Sequence, residues 1–392
     1  MLGRSRSIHE PDMLPSQRAL FDIPDDVTYI NCAYLSPNMK AQREMGHWAV
    51  DRKVHPWTIE WKHFYDDVER ARVLFAKLIN ATPEDIAIVA ATSYGVATAS
   101  QNLGLKAGEN VVGLEGEHYS TLLEYKRRCA EAGATLKQVA KPKDGDWTRD
   151  ILAAIDEKTA WVGVPNCYWT DGGLIDLQKI SDRAHQVGAV FITDVTQSLG
   201  AKAVDVKKLK PDYLICSAYK WLLGPYGLGF LYVAPHRQDG RPLEQHNYGR
   251  AGSQSSANRG MGDAYAPGAR RFDMGERSHF IHLPIANVGM EQLLAWGQDE
   301  IEATIEPLTK RIAEHAAARQ LAVPPAEARV KHFIGLQFPG GVPDGLGDRM
   351  NREKCYASVR GTSLRMSPHV YNNLAEIDRF FDVFDRVVAG KD

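Results

Sequence analysis

PDYLICSAYKWLLGPYGLGFLY, residues 211–232, is the stretch on which the fold of this 392-residue chain turns. Residues 213–216 are apolar and β-prone, the pattern of a short buried strand. Ser217 and Lys220 then emerge just past the strand's carboxyl end, where open α/β sheets place their ligands. Residues 224–229, rich in glycine with one proline, read as a turn that leads into a second strand at 230–233. A lysine between two buried strands is fixed in direction. Burial lowers the pKa of an ε-amine and leaves it a free nucleophile toward an aldehyde, which is what imine chemistry requires. A lysine taken alone is more often a solvated surface group, so the weight falls on the chain upstream.

Residues 189–194, AVFITD, form another strand pattern that ends in Asp194 and is followed by Val195-Thr196-Gln197-Ser198. A carboxylate at a strand end serves equally as a helix N-cap. With Lys220 following, it gains a second reading. An aspartate within hydrogen-bonding distance of a pyridine nitrogen keeps that nitrogen protonated, and the ring becomes an electron sink.

The runs FITDVTQSLGAKAVDV and DYLICSAYKWLLGPYGLGFLYV resemble the cofactor segment of the class V aminotransferase family. That family includes cysteine desulfurases, kynureninase and isopenicillin N epimerase. The resemblance spans nearly the whole chain and is strongest over 188–233. It implies an α/β protein of fold type I, a pyridoxal-phosphate-dependent transferase. A mainly parallel seven-stranded sheet would fill a large domain, 20–278, and a smaller α+β domain would span 279–392 with residues 1–19 packed on it. The resemblance also implies pyridoxal 5'-phosphate held by Lys220 as an imine, with Asp194 at the ring nitrogen and Gln197 beside it. Ser217 and Tyr219 fall where the family anchors the phosphate. Tyr219 stands where many members carry histidine, and either side chain can donate to a phosphate.

The remaining matches follow strand ends. Residues 86–91 form a strand that delivers Thr92 and Ser93 to a helix start, whose free N–H groups and dipole suit a phosphate dianion; the ordinary alternative is a capping hydroxyl. Ala91-Thr92-Ser93 departs from the family's Gly-Thr-Thr only in the glycine. The strand at 110–114 ends near His118, which matches the family's aromatic residue stacked on the cofactor ring and reads otherwise as a helix cap. The strand at 159–165 delivers Asn166, matched to a contact with the cofactor's ring oxygen or the incoming amino acid. The turn at 31–37 supplies Asn31 and Tyr34 as candidate substrate contacts, or as plain turn residues. Arg365, in the run SLRMSPHVYN, matches the guanidinium that clamps an α-carboxylate bidentately. Strand and helix patterns alternate throughout, as a parallel sheet covered on both faces requires. Residues 57–80 read as one packing helix with Trp57 and Trp61 in a core or an interface, and 235–268 as loop.

Two departures narrow the chemistry. Where the family's segment reaching the neighbouring subunit's phosphate carries threonine, this chain has Glu276, with Arg277 or Ser278 as substitutes. Only Gly361-Thr362-Ser363-Leu364 separates Arg360 from Arg365, so the desulfurase loop with its nucleophilic cysteine is missing. Cys355 precedes that strand and has no activating neighbour in sequence.

Composition fits without selecting. A formal charge of −2 gives no electrostatic case for nucleic acid or an anionic membrane. Five cysteines with no CxxC pair point to a reducing compartment. The start, MLGRSRSIHEPDM, lacks an apolar signal core, and a cytoplasmic enzyme is expected. The 13 histidines show no HExxH, so no metal site is expected. The sequence thus points to an aminotransferase-like enzyme acting at Cα of an α-amino acid, a small-molecule substrate, with a homodimer implied. A carbon–sulfur lyase or epimerase is the alternative, and a scaffold that kept the fold without turnover is the reading outside enzymology.

Overall fold

Parallel strands need long crossovers, so a chain that alternates short apolar runs with amphipathic stretches closes into a helix-covered sheet. The computed structural model describes residues 12–255 and 262–390. After a two-residue strand β1 (Thr28–Tyr29) come β2 (Ile86–Val89), β3 (Asn110–Leu114), β4 (Thr135–Val139), β5 (Thr159–Gly163), β6 (Val190–Asp194), β7 (Tyr213–Ser217) and β8 (Gly229–Val233). The seven strands β2–β8 form one sheet in the order β2-β8-β7-β6-β5-β3-β4. β8 runs antiparallel to both of its neighbours, and the other strands run parallel. The mainly parallel seven-stranded sheet is therefore present. The carboxyl ends of β2, β3, β5, β6 and β7 open on one side of it.

The covering helices are α1 (Lys40–Val54), α2 (Asp66–Ile79), α3 (Thr92–Gln101), α4 (Tyr119–Ala132), α5 (Trp147–Ala154), α6 (Leu177–Gln186), α7 (Val206–Leu209) and α8 (His282–Trp296). α2 turns Val68, Phe75 and Leu78 inward, and Phe75 stacks on Phe230 of β8 at 4.4 Å between ring centroids. The single helix expected over 57–80 is shorter than its pattern. Short 3₁₀ turns at Pro56–Thr58 and Trp61–Phe64 precede α2, and Asn80 ends it at φ 58°. Trp57 is 77% exposed and has no place in the core, because Pro56 starts a new turn there.

A second layer holds α9 (Gln298–Ala318), β9 (Ile334–Gln337), α10 (Leu346–Arg352), β10 (Cys355–Tyr356), β11 (Ser358–Arg360), β12 (Ser363–Met366) and α11 (Leu374–Val388). Strands β11, β12 and β9 form an antiparallel sheet with β12 in the middle. Its own apolar cluster includes Ile312, Leu336, Leu364, Phe380 and Phe384. β1 pairs with β10, and Asn31 bridges to Ser367, so residues 28–31 hydrogen-bond to this layer rather than to the large sheet. Residues 14–18 dock here as well, through Leu14 N to Thr304 Oγ1 at 2.8 Å and Arg18 to Glu376 at 2.6 Å. The first part of the 1–19 segment, residues 1–11, lies outside the described residues.

Candidate active site

Each strand end contributes to one concavity. α3 begins at Thr92 directly after β2, and no side chain caps it. Gly95 lets the helix settle on β7, since a Cβ there would stand 3.0 Å from Ile215. Thr92 Oγ1 lies 2.8 Å from Ser217 Oγ and 3.3 Å from Thr196 Oγ1, and Ser217 N donates to Thr196 Oγ1 at 2.9 Å. Three hydroxyls from three strand ends thus cluster beside an uncapped helix N-terminus. Ser93 is exposed at the rim of the same cavity. Thr196 was not singled out by sequence, although it sits inside the run that carries Asp194 and Gln197.

The Asp194 carboxylate, at the end of β6, accepts from Thr196 N at 2.9 Å and lines the cavity. Gln197 is held on several sides. Its Nε2 donates to Ala33 O at 3.4 Å, Trp221 Nε1 donates to its Oε1 at 3.4 Å, and His332 Nε2 donates to its carbonyl at 2.7 Å. Burial keeps His332 neutral well below the usual histidine range. Gly200, at φ 111°, packs against the carbonyl of Trp221, an approach no side chain would allow.

Lys220 stands at the centre, 8% exposed, between these groups. Burial first, then the positive charge of Arg365, brings its pKa down to about 8, against a smaller opposing pull from Asp194. The turn after it is held by Gln42, whose Nε2 donates to Leu223 O at 2.5 Å while Leu223 adopts φ 54°. Above about pH 8 the amine is mostly uncharged, whereas an ordinary lysine needs a pH above 10. Reductive labelling of cofactor-free protein should therefore reach half of its maximal rate at Lys220 near pH 8, some two pH units before the surface lysines, as read by peptide mass spectrometry.

His118 lines the cavity, accepts weakly from Ser120 N at 3.4 Å, and meets Trp169 edge to face at 5.9 Å. It is at once a cavity wall and the cap of α4. Burial first, then Lys220, lowers its pKa. Asn166 is buried at the end of β5 but does not line the cavity; its Nδ2 donates to Ser198 Oγ and its Oδ1 has no partner. Glu117, which sequence passed over, is buried in the floor with Oε2 unpartnered. Burial raises its pKa to about 8, so it is a neutral acid at pH 7. Only the fold reveals this, since the burial that raises it is set by the surrounding strand ends.

Beyond Lys220 a second cavity of about 560 Å³ is walled by Tyr34, His118, Trp169, Tyr219, Arg360 and Arg365 among others. Tyr219 packs on Tyr226 at 4.6 Å. Arg365 is 1% exposed and meets no carboxylate among the described residues: Nη1 donates to Trp169 O at 2.8 Å and Nε has no partner. Burial first, then Arg360, depresses its pKa to about 9. Tyr34 is 49% exposed at the mouth, while Asn31 lines neither cavity and accepts from Ser358 Oγ at 2.7 Å. Asn31 is thereby tied within the second layer, the turn role that sequence left open.

The two residues offered as substitutes at Glu276 are committed within their own chain. Arg277 lies between Tyr65 and Tyr248, at 4.7 and 4.6 Å from the ring centroids, and pairs with Asp273 at 3.1 Å. Ser278 Oγ donates to Phe64 O at 2.7 Å. The β11–β12 connection is a tight hairpin with no room for a mobile loop, and Cys355 is buried with its thiol pKa raised by burial.

A mainly parallel, helix-covered sheet with a buried lysine and a carboxylate at adjacent strand ends defines an α/β enzyme of fold type I. The family model Aminotransferase class-V matches residues 39–259, more than half of the chain, and the chain belongs to that family. Over 324 residues it is 26% identical to the uncharacterized aminotransferase YcbU of Bacillus subtilis (strain 168), covering 82% of this chain and 84% of that protein. Its fold matches the apo structure of cysteine desulfurase from Thermococcus onnurineus NA1 with a TM-score of 0.84 at 21% identity, over 97% of this chain and 100% of that one. The cystine C-S lyase C-DES, solved with its reaction product cysteine persulfide, matches with a TM-score of 0.82 at 17% identity, over 92% and 98% of the two chains. The chain is thus an enzyme that depends on pyridoxal 5'-phosphate, as the resemblance implied. Its cavity fits that group, offering hydroxyls and an uncapped helix start to a phosphate, a carboxylate to a ring nitrogen, and a buried amine to an aldehyde. No helix among the described residues is long and apolar enough to cross a membrane.

Proposed function

We propose that the protein is an aminotransferase-like enzyme acting at Cα of an α-amino acid, with Lys220 as the covalent anchor and proton carrier. One observation carries this reading: a buried Lys220 with a lowered pKa lies between the hydroxyl cluster of one cavity and, in the next, an Arg365 without a carboxylate partner among the described residues. When bound, pyridoxal phosphate supplies an electron sink for the pair left at Cα. Thr92, Ser93, Ser217 and Tyr219 are the residues we assign to its phosphate, with the α3 N-terminus adding its dipole. Asp194 is assigned to the ring nitrogen and Gln197 to the ring oxygen. His118 is assigned to the ring face, where an aromatic contact adds about 1 kcal/mol.

Arg365 is the group suited to orient the substrate, since a guanidinium grips a carboxylate in two parallel hydrogen bonds. That grip fixes which bond at Cα faces Lys220. The Lys220 amine then takes the Cα proton and returns it, and its low pKa suits both directions near neutrality. A β-eliminating lyase is the second reading, supported by the lack of any exposed cysteine among the described residues: a leaving thiol would depart with no thiol nearby to receive it. A homodimer is supported by exposed Trp48, Val54 and Trp57 on and after α1, and the free buried cysteines suit a reducing cytoplasm.

The test is incubation of yellow holoenzyme with a panel of amino acids, following 2-oxo acids, released thiol, ammonia and inversion at Cα. Transfer of the amino group to a 2-oxo acid acceptor is the expected result. Pyruvate with thiol and ammonia moves the assignment to the lyase. A colourless protein that borohydride leaves unlabelled, with no product from any amino acid, sinks both and leaves the scaffold.

A further inference from the structure

Glu117 is a buried carboxyl in the floor of the cofactor cavity to which the proposed reaction gives no task. It is 8% exposed, its Oε1 accepts from His118 N at 2.6 Å, and its Oε2 has no partner and is cut off from solvent. A small void of about 10 Å³ adjoins that cavity, and Glu117 and Asp194 both line it as well. Its other polar side chains are the hydroxyls of Thr121 and Tyr125 from α4, and the remaining walls are apolar side chains and Gly163. The space is about what one water molecule needs.

Two carboxyls facing one desolvated space do not both ionise, because like charges repel strongly where the dielectric is low. Their surroundings decide which keeps the proton. Asp194 is half-buried, accepts from Thr196 N, and lies where Lys220 feels its charge. Glu117 lies deeper, with one backbone N–H on Oε1 and nothing on Oε2. Burial raises its pKa to about 8, Asp194 adds to the rise, and the His118 N–H and Lys220 oppose it. The other titratable groups that face it do not compete: burial raises the pKa of Tyr125, Cys167 and Tyr168 and lowers that of His118. Resting on the assignment of Asp194 to the ring nitrogen, we infer that Glu117 is a positioning residue for Asp194: it carries the proton of the pair, offers it to the Asp194 carboxylate across the void, and leaves Asp194 as the ionised group that faces the ring. A carboxylate so bound is a weaker base, and the ring nitrogen rather than Asp194 keeps the proton between them.

Two measurements test this on the holoenzyme. In the first, infrared spectra at pH 7 are compared between the wild type and Glu117→Gln, a neutral side chain of similar shape that still donates. The wild type should show a protonated-carboxyl band that the variant lacks. In the second, the pH at which the yellow band of the bound cofactor is lost is followed in the wild type, Glu117→Gln, Glu117→Met and Asp194→Asn. Without a donor Asp194 becomes more basic and draws the proton from the ring nitrogen; the ring withdraws fewer electrons, and the Lys220 nitrogen becomes more basic. The midpoint in Glu117→Met should therefore rise by about one pH unit, the scale of one hydrogen bond to a charged group, and Glu117→Gln should leave it in place. Turnover should follow, with kcat about 10-fold lower at unchanged KM in Glu117→Met and restored in Glu117→Gln. A carboxylate band in place of the protonated one overturns the inference whether or not any amino acid is converted, and this comparison decides alone if Glu117→Met does not fold. Equal shifts in Glu117→Met and Glu117→Gln, or no shift in Glu117→Met where Asp194→Asn does move the band, also overturn it while the proposed function stands. A band that Asp194→Asn leaves unmoved overturns the ring-nitrogen assignment itself, and the inference with it.

Discussion

Replacing Lys220 with alanine is expected to reduce turnover on the order of 10⁴-fold while the protein stays folded and still takes up cofactor noncovalently. The size follows from the two tasks assigned to one amine, since general acid–base groups contribute roughly 10²–10⁴-fold and residues acting as a unit lose most of their effect together. The variant loses a buried amine rather than a packed apolar group, so its thermal midpoint should change little. Added methylamine should recover part of the rate, because a small amine fits the space and replaces the proton carrier. Lys220→Arg should not rescue, as a guanidinium is never an amine nucleophile near neutrality. Retention of full turnover in Lys220→Ala, measured as 2-oxo acid formed, would remove the basis of the proposed chemistry.

Arg365→Ala is expected to lower kcat/KM by about 10²–10³-fold, the scale of truncating one partner of a buried charge-assisted pair. Stability should move the other way or stay level. Arg365 is buried with one hydrogen bond to Trp169 O and no carboxylate among the described residues, and a buried charge without a partner is unfavourable in the folded state. Losing it relieves that cost, the exchange of stability for function common at binding sites. Arg365→Lys should fall between, keeping the charge but not the two-pronged grip. Kinetics and thermal melts on the same preparations check this. A drop of more than about 5 °C in the melting midpoint, roughly 4 kcal/mol for a chain of this length, would mark Arg365 as structural instead.

Legibility followed locality. The residues on either side of Lys220 are a strand, a turn and a second strand in unbroken order, and the structure contains each, with Ser217 opposite Gly229 in the β7–β8 ladder. The place of Asp194 and Gln197 at the cavity was legible because the residues just past a buried strand's carboxyl end open on the crevice there. Pattern weakened where elements are polar all round. α1 and the edge strand β4 show little apolar periodicity and were not read as elements, and the 57–80 stretch was read as one helix because its later apolar spacing was extended back to Trp57, across the 3₁₀ turn at Trp61–Phe64. Asn31 was legible as a turn residue, but its commitment to Ser358 joins positions 327 residues apart.

What the chain determined by itself is the order of strands and helices and the chemistry deposited at each strand end, because both depend on short-range pattern and on residue type. The tertiary structure alone decided which of those ends share a cavity. It gave Lys220 its low pKa, made Glu117 a neutral acid, and left Arg365 buried without a carboxylate partner among the described residues. Each of these is set by burial and by charges distant in sequence, and desolvation is a property of the packed molecule rather than of any segment of it.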